Sequence, residues 1–160
     1  MYKRILVPFD GSPTAKLGLS EAIKLAKEQG ATLRIVHVLN EWLAVSPDAS
    51  GADLGPVVEG LRAAGEAILD EADKAARAAG VDAHTVLVEE MGDPAGVQIV
   101  RDAREWPADL IVCGTHGRRG VRRLLLGSDA EYVVRHSPMP VLTVRGEAAP
   151  EEPSSPLTVG

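Results

Sequence analysis

Apolar and polar positions along the chain form two alternating patterns, and the first pattern is a short, nearly continuous apolar run. Five such runs are rich in branched residues and are bounded by charged residues, glycine or proline. Runs of this length and composition are typical of strands that are buried on both faces of a parallel sheet. They predict strands at residues 2–9, 33–39, 83–89, 109–113 and 141–144.

Segments with the helical spacing of apolar residues lie between these runs. The first begins at Ser12, a hydroxyl N-cap followed by proline, and ends at Gly30. Asp93 is the expected cap of the third helix, and Ser128 with Glu131 forms a capping box at the start of the fourth. The predicted helices cover residues 13–29, 57–79, 93–106 and 128–136.

Strands separated by helices need crossover connections, and crossovers produce a parallel sheet with helices on both faces. The alternation therefore predicts a three-layer α/β/α doubly wound domain with a five-stranded parallel sheet and four helices. The domain covers residues 1–146, and its long connection at 40–56 is either mobile or functional. Residues 147–160 contain proline and glutamate without an apolar period, which predicts a disordered tail. Ligands of such sheets bind beyond the C-terminal ends of the strands, where the strand order reverses.

Composition and charge narrow the classes of function. The 160 residues include 17 basic and 23 acidic side chains, and the net charge of −6 repels a nucleic-acid backbone. Aromatic residues are too few for a base-stacking platform, and no apolar run reaches the roughly 18 residues of a membrane span. The single cysteine, Cys113, excludes an intramolecular disulfide and suits a reducing compartment. We therefore expect a cytoplasmic protein that binds neither nucleic acid nor a membrane.

A glycine-rich segment follows the fourth strand. Gly114 and Gly117 are separated by two residues, and nine further residues lead to Gly127 and Ser128 at the start of a helix. Glycine lets a backbone approach an anion closely, and the first turn of a helix offers free N–H donors at a positive dipole end. The segment is therefore either a phosphate-binding loop or a plain strand exit followed by a capped helix. No Walker-type or dinucleotide-type glycine motif occurs in the sequence.

Three further segments and the glycine pattern carry a resemblance to a known family. The segments are Ile-Leu-Val-Pro-Phe-Asp-Gly-Ser at 5–12, Val-His-Val at 36–38 and Ser-Pro-Met-Pro-Val-Leu-Thr-Val at 137–144. From residue 2 to residue 145 the chain resembles a universal stress protein of the ATP-binding subgroup. The signature of that subgroup is Gly-x2-Gly-x9-Gly followed by Ser or Thr, and it is matched at Gly114, Gly117, Gly127 and Ser128.

The resemblance implies an ATP site, with magnesium bound through the phosphates and no confident metal ligand from the protein. Asp10 would accept hydrogen bonds from the ribose or adenine, and the backbone of Val38 would meet the adenine edge. The sugar would lie beside Cys113 and Gly114, and the glycine segment with the following helix would surround the phosphates. The ATP-binding residues implied in this way are Pro8, Asp10, Val38, Cys113, Gly114, His116, Gly117, Arg119, Gly127, Ser128 and Asp129.

Several of these residues also have a simpler interpretation. Asp10 is either a ligand or a turn former, and Cys113, at the end of a buried strand, is expected to be inert packing. His37 is expected to be a core histidine rather than a ligand. His116 either contacts phosphate or supports the loop. Asp129 suits the helix dipole but repels phosphate, so it either faces away or meets the phosphates through magnesium.

The resemblance implies a regulatory, nucleotide-dependent stress-response module that acts on an unidentified protein partner. It also implies a homodimer through strand 141–144, an apolar edge strand that would pair antiparallel across a two-fold axis. One alternative is an enzyme that adenylates substrates or hydrolyses ATP slowly. The sequence lacks the His-x-Gly-His and Ser-Gly-Gly-x-Asp-Ser signatures of such enzymes, so no catalytic residue is assigned. The other alternative is a dimeric stress protein that binds no nucleotide.

Overall fold

The computed structural model describes residues 1–39, 55–90, 92–115 and 126–146. The strands in these ranges are β1 Arg4–Pro8, β2 Thr32–Val38, β3 Ala83–Val88, β4 Leu110–Gly114 and β5 Val141–Val144. The helices are α1 Pro13–Gln29, α2 Gly55–Ala78, α3 Ala95–Glu105 and α4 Ser128–His136. All of these bounds lie within two residues of the predicted ones. The predicted tail and most of the connection at 40–56 lie outside the described residues.

The strands form one parallel sheet in the order β3-β2-β1-β4-β5. In its centre, Ile5 of β1 is aligned with Leu33 of β2 on one side and with Leu110 of β4 on the other. The chain builds outward from β1 to β3 and then returns to the opposite side of β1. The strand order therefore reverses between β1 and β4, and the predicted doubly wound fold is confirmed.

Successive side chains of the central strand point to opposite faces of the sheet. Ile5 and Val7 pack in a cluster with residues of α1 and α2, whereas Leu6 packs with residues of α3 and α4. All three side chains are fully buried, and burying one of them contributes about 1.5–3 kcal/mol to stability. The two clusters thus hold one pair of helices on each face, which makes the three layers.

One predicted helix cap is confirmed and two are wrong. The hydroxyl of Ser12 accepts a hydrogen bond from the N–H of Ala15 at 3.2 Å, as expected of the N-cap of α1. The cap positions of α3 and α4 are instead Pro94 and Gly127, and neither makes a side-chain cap.

The side chains expected to cap these two helices are placed differently. Asp93, which lies before α3, forms an ion pair with Arg101, eight residues further along the chain. Ser128 is the first residue of α4, and the carboxylate of Glu131 lies 2.9 Å from Arg135 rather than reaching back to the helix start. None of the described helices is both long and apolar enough to span a bilayer.

Candidate functional site

The C-terminal ends of β1, β2 and β4 meet at one edge of the sheet because the strands are parallel. We call this the carboxyl edge. It brings the turn after Pro8 next to the end of β2 at Val38, since Pro8 is aligned with Val36. On the other side of β1 it places Cys113 and Gly114 at the end of β4. His116, Gly117 and Arg119 lie outside the described residues.

The turn between β1 and α1 is held by its own polar groups. The carboxylate of Asp10 accepts a hydrogen bond from the N–H of Ser12 at 2.9 Å. Gly11 has a φ of +76°, a left-handed conformation that favours glycine. The role of Asp10 as a turn former is therefore present in the structure, and its side chain is half-buried at the carboxyl edge.

His37 supports the same turn from β2. Its Nδ1 lies 2.8 Å from the carbonyl oxygen of Phe9, and because a carbonyl can only accept, Nδ1 carries the proton. The other side of the ring lies against α2, where a Cβ added to Gly65 would be 3.0 Å from its Cδ2. The half-buried ring thus holds the residue before Asp10, which agrees with the expected core histidine.

Gly114 has a packing role at the end of β4. A Cβ atom at this position would lie 2.6 Å from the backbone carbon and oxygen of Thr14, in the first turn of α1. Gly18 meets the same place from the helix side, since its own Cβ would lie 3.2 Å from the backbone nitrogen of Gly114. The first glycine of the pattern is therefore required for close packing of α1 on β4, whether or not a ligand binds.

Cys113 precedes this contact and is buried, with 5% of its surface exposed. Burial disfavours the thiolate and raises the pKa of the thiol to about 11. The side chain therefore remains a neutral thiol at physiological pH, as expected of an inert packing residue.

Two backbone hydrogen bonds of Thr115 join the end of β4 to the start of α4 and to β5. The N–H of Gly127 donates to the carbonyl of Thr115 at 2.8 Å, and the N–H of Thr115 donates to the carbonyl of Val144 in β5 at 3.0 Å. Because the N–H of Gly127 is used in this way, it is not a donor to an anion in this conformation. The N–H groups that follow it in the first turn of α4, beginning with Ser128, lack intrahelical acceptors.

Asp129 faces α3, a contact that the sequence did not reveal. Its Oδ1 accepts a hydrogen bond from the N–H of Gly96 at 3.0 Å, in the first turn of α3. A Cβ atom at Gly96 would lie 2.9 Å from the Cβ of Tyr132 and 3.0 Å from the carbonyl oxygen of Asp129. The sequence offers two signals for this contact, a glycine in the first turn of α3 and an acid in the first turn of α4. It does not show that the two residues pair, because the pairing depends on how the two helices pack.

The sequence also did not predict a second group of polar side chains, which holds the turn between β3 and α3. The side-chain nitrogen of Gln98 donates to the carbonyls of Glu90 and Asp93 at 3.0 and 2.7 Å, and Arg101 pairs with both acidic side chains. These two acceptors fix the orientation of the buried amide of Gln98. Its Oε1 is buried and has no hydrogen-bond partner within the described residues.

Possible metal ligands and cavities among the described residues do not offer a better candidate than the carboxyl edge. Within the ranges that the structure describes, no three His, Cys, Asp or Glu side chains are grouped so that they could hold a metal ion. A shallow groove of about 300 Å³ lies elsewhere, between α2 and β3, and is lined by Glu66, Leu69, Asp70, Asp73, Thr85 and Leu87. The groove has no cation among its lining residues, and its acidic side chains disfavour a phosphate, so we regard the carboxyl edge as the better candidate.

The fold and this edge define a doubly wound α/β protein with a candidate binding site at its topological switch point. The chain matches the family model of the universal stress protein family over residues 1–145. A universal stress protein of Methanocaldococcus jannaschii is 38% identical over 146 residues, which cover 91% of this chain and 83% of the relative. A putative universal stress protein of Staphylococcus haemolyticus is 36% identical over 152 residues, covering 94% and 89%. The chain belongs to the universal stress protein family.

Solved structures of the family share the fold. A universal stress family protein of Burkholderia pseudomallei is 35% identical with a TM-score of 0.70, covering 89% of this chain and 96% of that one. A universal stress protein in complex with cAMP is 30% identical with a TM-score of 0.63, covering 90% and 97%. The Archaeoglobus fulgidus protein in complex with dAMP is 25% identical with a TM-score of 0.62, covering 89% and 97%.

Proposed function

We propose that this chain is a cytoplasmic, ATP-binding regulatory protein of the stress response, which binds nucleotide at the carboxyl edge. The observation that carries the proposal is the convergence of three features at the strand-order reversal. These are the Asp10 turn after β1, the end of β2 at Val38, and the glycine pattern that begins at Gly114 and ends where α4 begins. The relatives in complex with cAMP and dAMP support it, because both ligands contain adenine joined to a sugar phosphate.

In the proposed site, the two halves of the nucleotide are bound by different residues. Pro8, Asp10 and the backbone of Val38 bind adenosine, while Cys113 and Gly114 border the sugar. The phosphates are bound by the first turn of α4, beginning at Ser128, together with His116, Gly117 and Arg119. Magnesium is bound through the phosphates. Gly127 shapes the site through its hydrogen bond to Thr115 rather than as a phosphate donor.

The experiment that tests the proposal is mass spectrometry of the denatured, as-purified protein, followed by calorimetric titration of nucleotide-free protein with ATP and AMP. We expect co-purifying adenine nucleotide or saturable binding of both ligands, because both contain adenosine. Cytidine triphosphate is the control, since it has the same phosphates on another base. Equal binding of ATP and cytidine triphosphate would contradict an adenosine site, and binding of neither would contradict the proposed function altogether.

We also propose that the protein is a homodimer whose interface is β5. The proposed effect on an unidentified protein partner would depend on this dimer. The carbonyls of Pro140 and Val144 accept hydrogen bonds from β4, at Ile111 and Thr115. Because backbone groups alternate in direction along a strand, the N–H of Thr143 points to the outer edge of the sheet. The side chain of Leu142 in the same strand is 40% exposed, which leaves apolar surface beside that edge.

The dimer is tested by replacing Thr143 with proline, which removes an outer N–H and leaves the hydrogen bonds to β4 in place. We expect Thr143→Pro to be a monomer in light scattering, because the antiparallel pairing of two β5 strands would lose a donor in each chain. Thr143→Val keeps the N–H and is expected to remain a dimer. A dimeric Thr143→Pro variant would place the interface elsewhere.

A further inference from the structure

The carboxylate of Asp129 connects the starts of two helices. It belongs to the second residue of α4, and its Oδ1 accepts the hydrogen bond from the N–H of Gly96 in the first turn of α3. The cap position of α3, at Pro94, supplies no side-chain acceptor, so Asp129 takes the place of a local cap. The negative charge is thereby held next to two positive helix ends, which favours this arrangement.

The same charge lies in the helix turn that is proposed to bind phosphate. The Asp129 side chain is exposed, and among the described residues no cation forms an ion pair with it. Glu131, in the same turn, differs in this respect because Arg135 lies 2.9 Å from its carboxylate. A fixed negative charge beside the donors of α4 opposes the binding of each further negative charge on the ligand.

We propose that Asp129 is a specificity-determining residue of the nucleotide site, one that lowers the affinity for highly charged phosphate groups while it positions the start of α4 against α3. The inference rests on the proposed nucleotide-binding function. It predicts that Asp129 weakens the binding of the free triphosphate relative to that of a nucleotide monophosphate or of a triphosphate whose charge is reduced by magnesium.

The test compares AMP and ATP, with and without magnesium, in calorimetric titrations of wild type and Asp129→Asn. The asparagine oxygen still accepts the hydrogen bond from Gly96, so this variant removes the charge and keeps the position. Two unit charges 4 Å apart in water change a binding constant about fivefold, and ATP has more negative charges than AMP. We expect Asp129→Asn to bind magnesium-free ATP about fivefold more tightly, relative to AMP, than wild type does. Magnesium should remove most of that difference.

Two further variants separate charge from position. Glu131→Gln removes a charge from the same helix turn, but one already paired with Arg135, and is expected to leave the ratio of ATP to AMP affinity unchanged. Asp129→Ala removes both the charge and the contact to Gly96. It should show the same shift in nucleotide preference and, in the nucleotide-free protein, a melting temperature about 2–4 °C lower than that of Asp129→Asn.

Several results would overturn this inference. If Asp129→Asn changes the affinities for ATP and AMP by the same factor, Asp129 does not determine specificity. If Glu131→Gln shifts the preference equally, the effect belongs to the net charge of the surface. If wild type binds neither nucleotide, the proposed function itself fails. That last result differs from the first two, in which wild type binds nucleotide normally.

Discussion

The two sides of the candidate site are built by contacts of different range. In the turn between β1 and α1, the carboxylate of Asp10 binds the N–H of Ser12, and the hydroxyl of Ser12 binds the N–H of Ala15. Around the start of α4, Asp129 binds a residue 33 positions earlier in the chain. The hydrogen bonds of Asp10 and Ser12 on the first side are local, and His37 of β2 adds one distant contact to that turn, whereas the second side exists only when distant elements are packed together.

The difference has a consequence for substitutions at the two sides. A change in the β1–α1 turn acts on hydrogen bonds between near neighbours and on the nucleotide that the turn is proposed to contact. A change at Gly114 or at the α4 start also alters the packing of α1, α3 or β5, because its partners belong to those elements. We therefore expect conservative substitutions to separate stability from binding more easily on the first side than on the second.

The largest effect is expected for Gly114→Ala, on the long-range side. Its Cβ would lie 2.6 Å from two backbone atoms of Thr14, which cannot move aside as the end of a side chain can. We expect a loss of about 3 kcal/mol in the free energy of unfolding, at the upper end for overpacking, measured by urea denaturation.

Gly60→Ala is the matched control, because no atom lies within 4 Å of a Cβ at this exposed position in α2. It should gain about 0.5–1 kcal/mol, as alanine is the better helix former. A Gly114→Ala variant as stable as wild type would show that the glycine is not needed for packing.

A smaller loss of stability, together with weaker nucleotide binding, is expected for Asp10→Ala on the local side, because the variant loses the hydrogen bond to the N–H of Ser12. A hydrogen bond to a charged group contributes about 1.5–3 kcal/mol, so the dissociation constants of ATP and AMP should both rise roughly tenfold to a hundredfold. The two ligands should be affected alike because they share adenosine. Calorimetric titration of both against wild type and variant provides the measurement.

Asp10→Asn keeps an oxygen acceptor for the N–H of Ser12 and removes the charge. If it binds nucleotide like wild type while Asp10→Ala is merely less stable, Asp10 is a turn former and not a ligand. If the loss in Asp10→Ala concerns ATP and spares AMP, the residue lies near the phosphates, and the proposed halves of the site are reversed.

The smallest effect concerns Cys113, which lies between the two sides. Burial raises the pKa of its thiol from the ordinary value of 9.0 to about 11, so above pH 9 the unfolded chain loses the proton more readily than the folded one. The contribution of the protonated thiol to the free energy of unfolding is complete below pH 9. It declines as the pH rises toward 11, by about 1.4 kcal/mol for each pH unit between these two values. Urea denaturation at pH 8 and pH 10 should show this decline in wild type and a smaller decline in Cys113→Ala. Equal declines would mean that the thiol is not protected by burial.

The sequence predicted those features whose causes are local. The strands and helices were found within two residues because apolar periodicity is a local pattern. The cap of α1 was found because Ser12 bonds to a residue three positions away. The cap of α3 was predicted wrongly because Arg101 pairs with Asp93, while the N–H of Gly96 donates to the distant Asp129. The capping box of α4 was predicted wrongly because the helix begins at Ser128 and the carboxylate of Glu131 pairs with Arg135.

The glycine pattern also shows that long-range contacts could not be predicted from the sequence. Gly114 was identified as a ligand-binding position from its place in the pattern, whereas its contact with Thr14 gives it a packing role as well. That contact joins two positions 100 residues apart, and no spacing in the sequence encodes it. Motif residues can therefore be located from sequence, but the reason for each one requires the packed structure.

The pairing of β1 with β4 also limits when the sheet can be completed during synthesis. Asp109 at the start of β4 accepts hydrogen bonds from the N–H groups of Lys3 and Arg4, more than 100 residues away. While the chain leaves the ribosome, β1, β2 and β3 can pair first, and one side of β1 stays open until β4 emerges. The seam that then closes is the one beside which the nucleotide is proposed to bind. In a nascent chain, the part of the carboxyl edge between β1 and β4 therefore forms only after β4 has been synthesised.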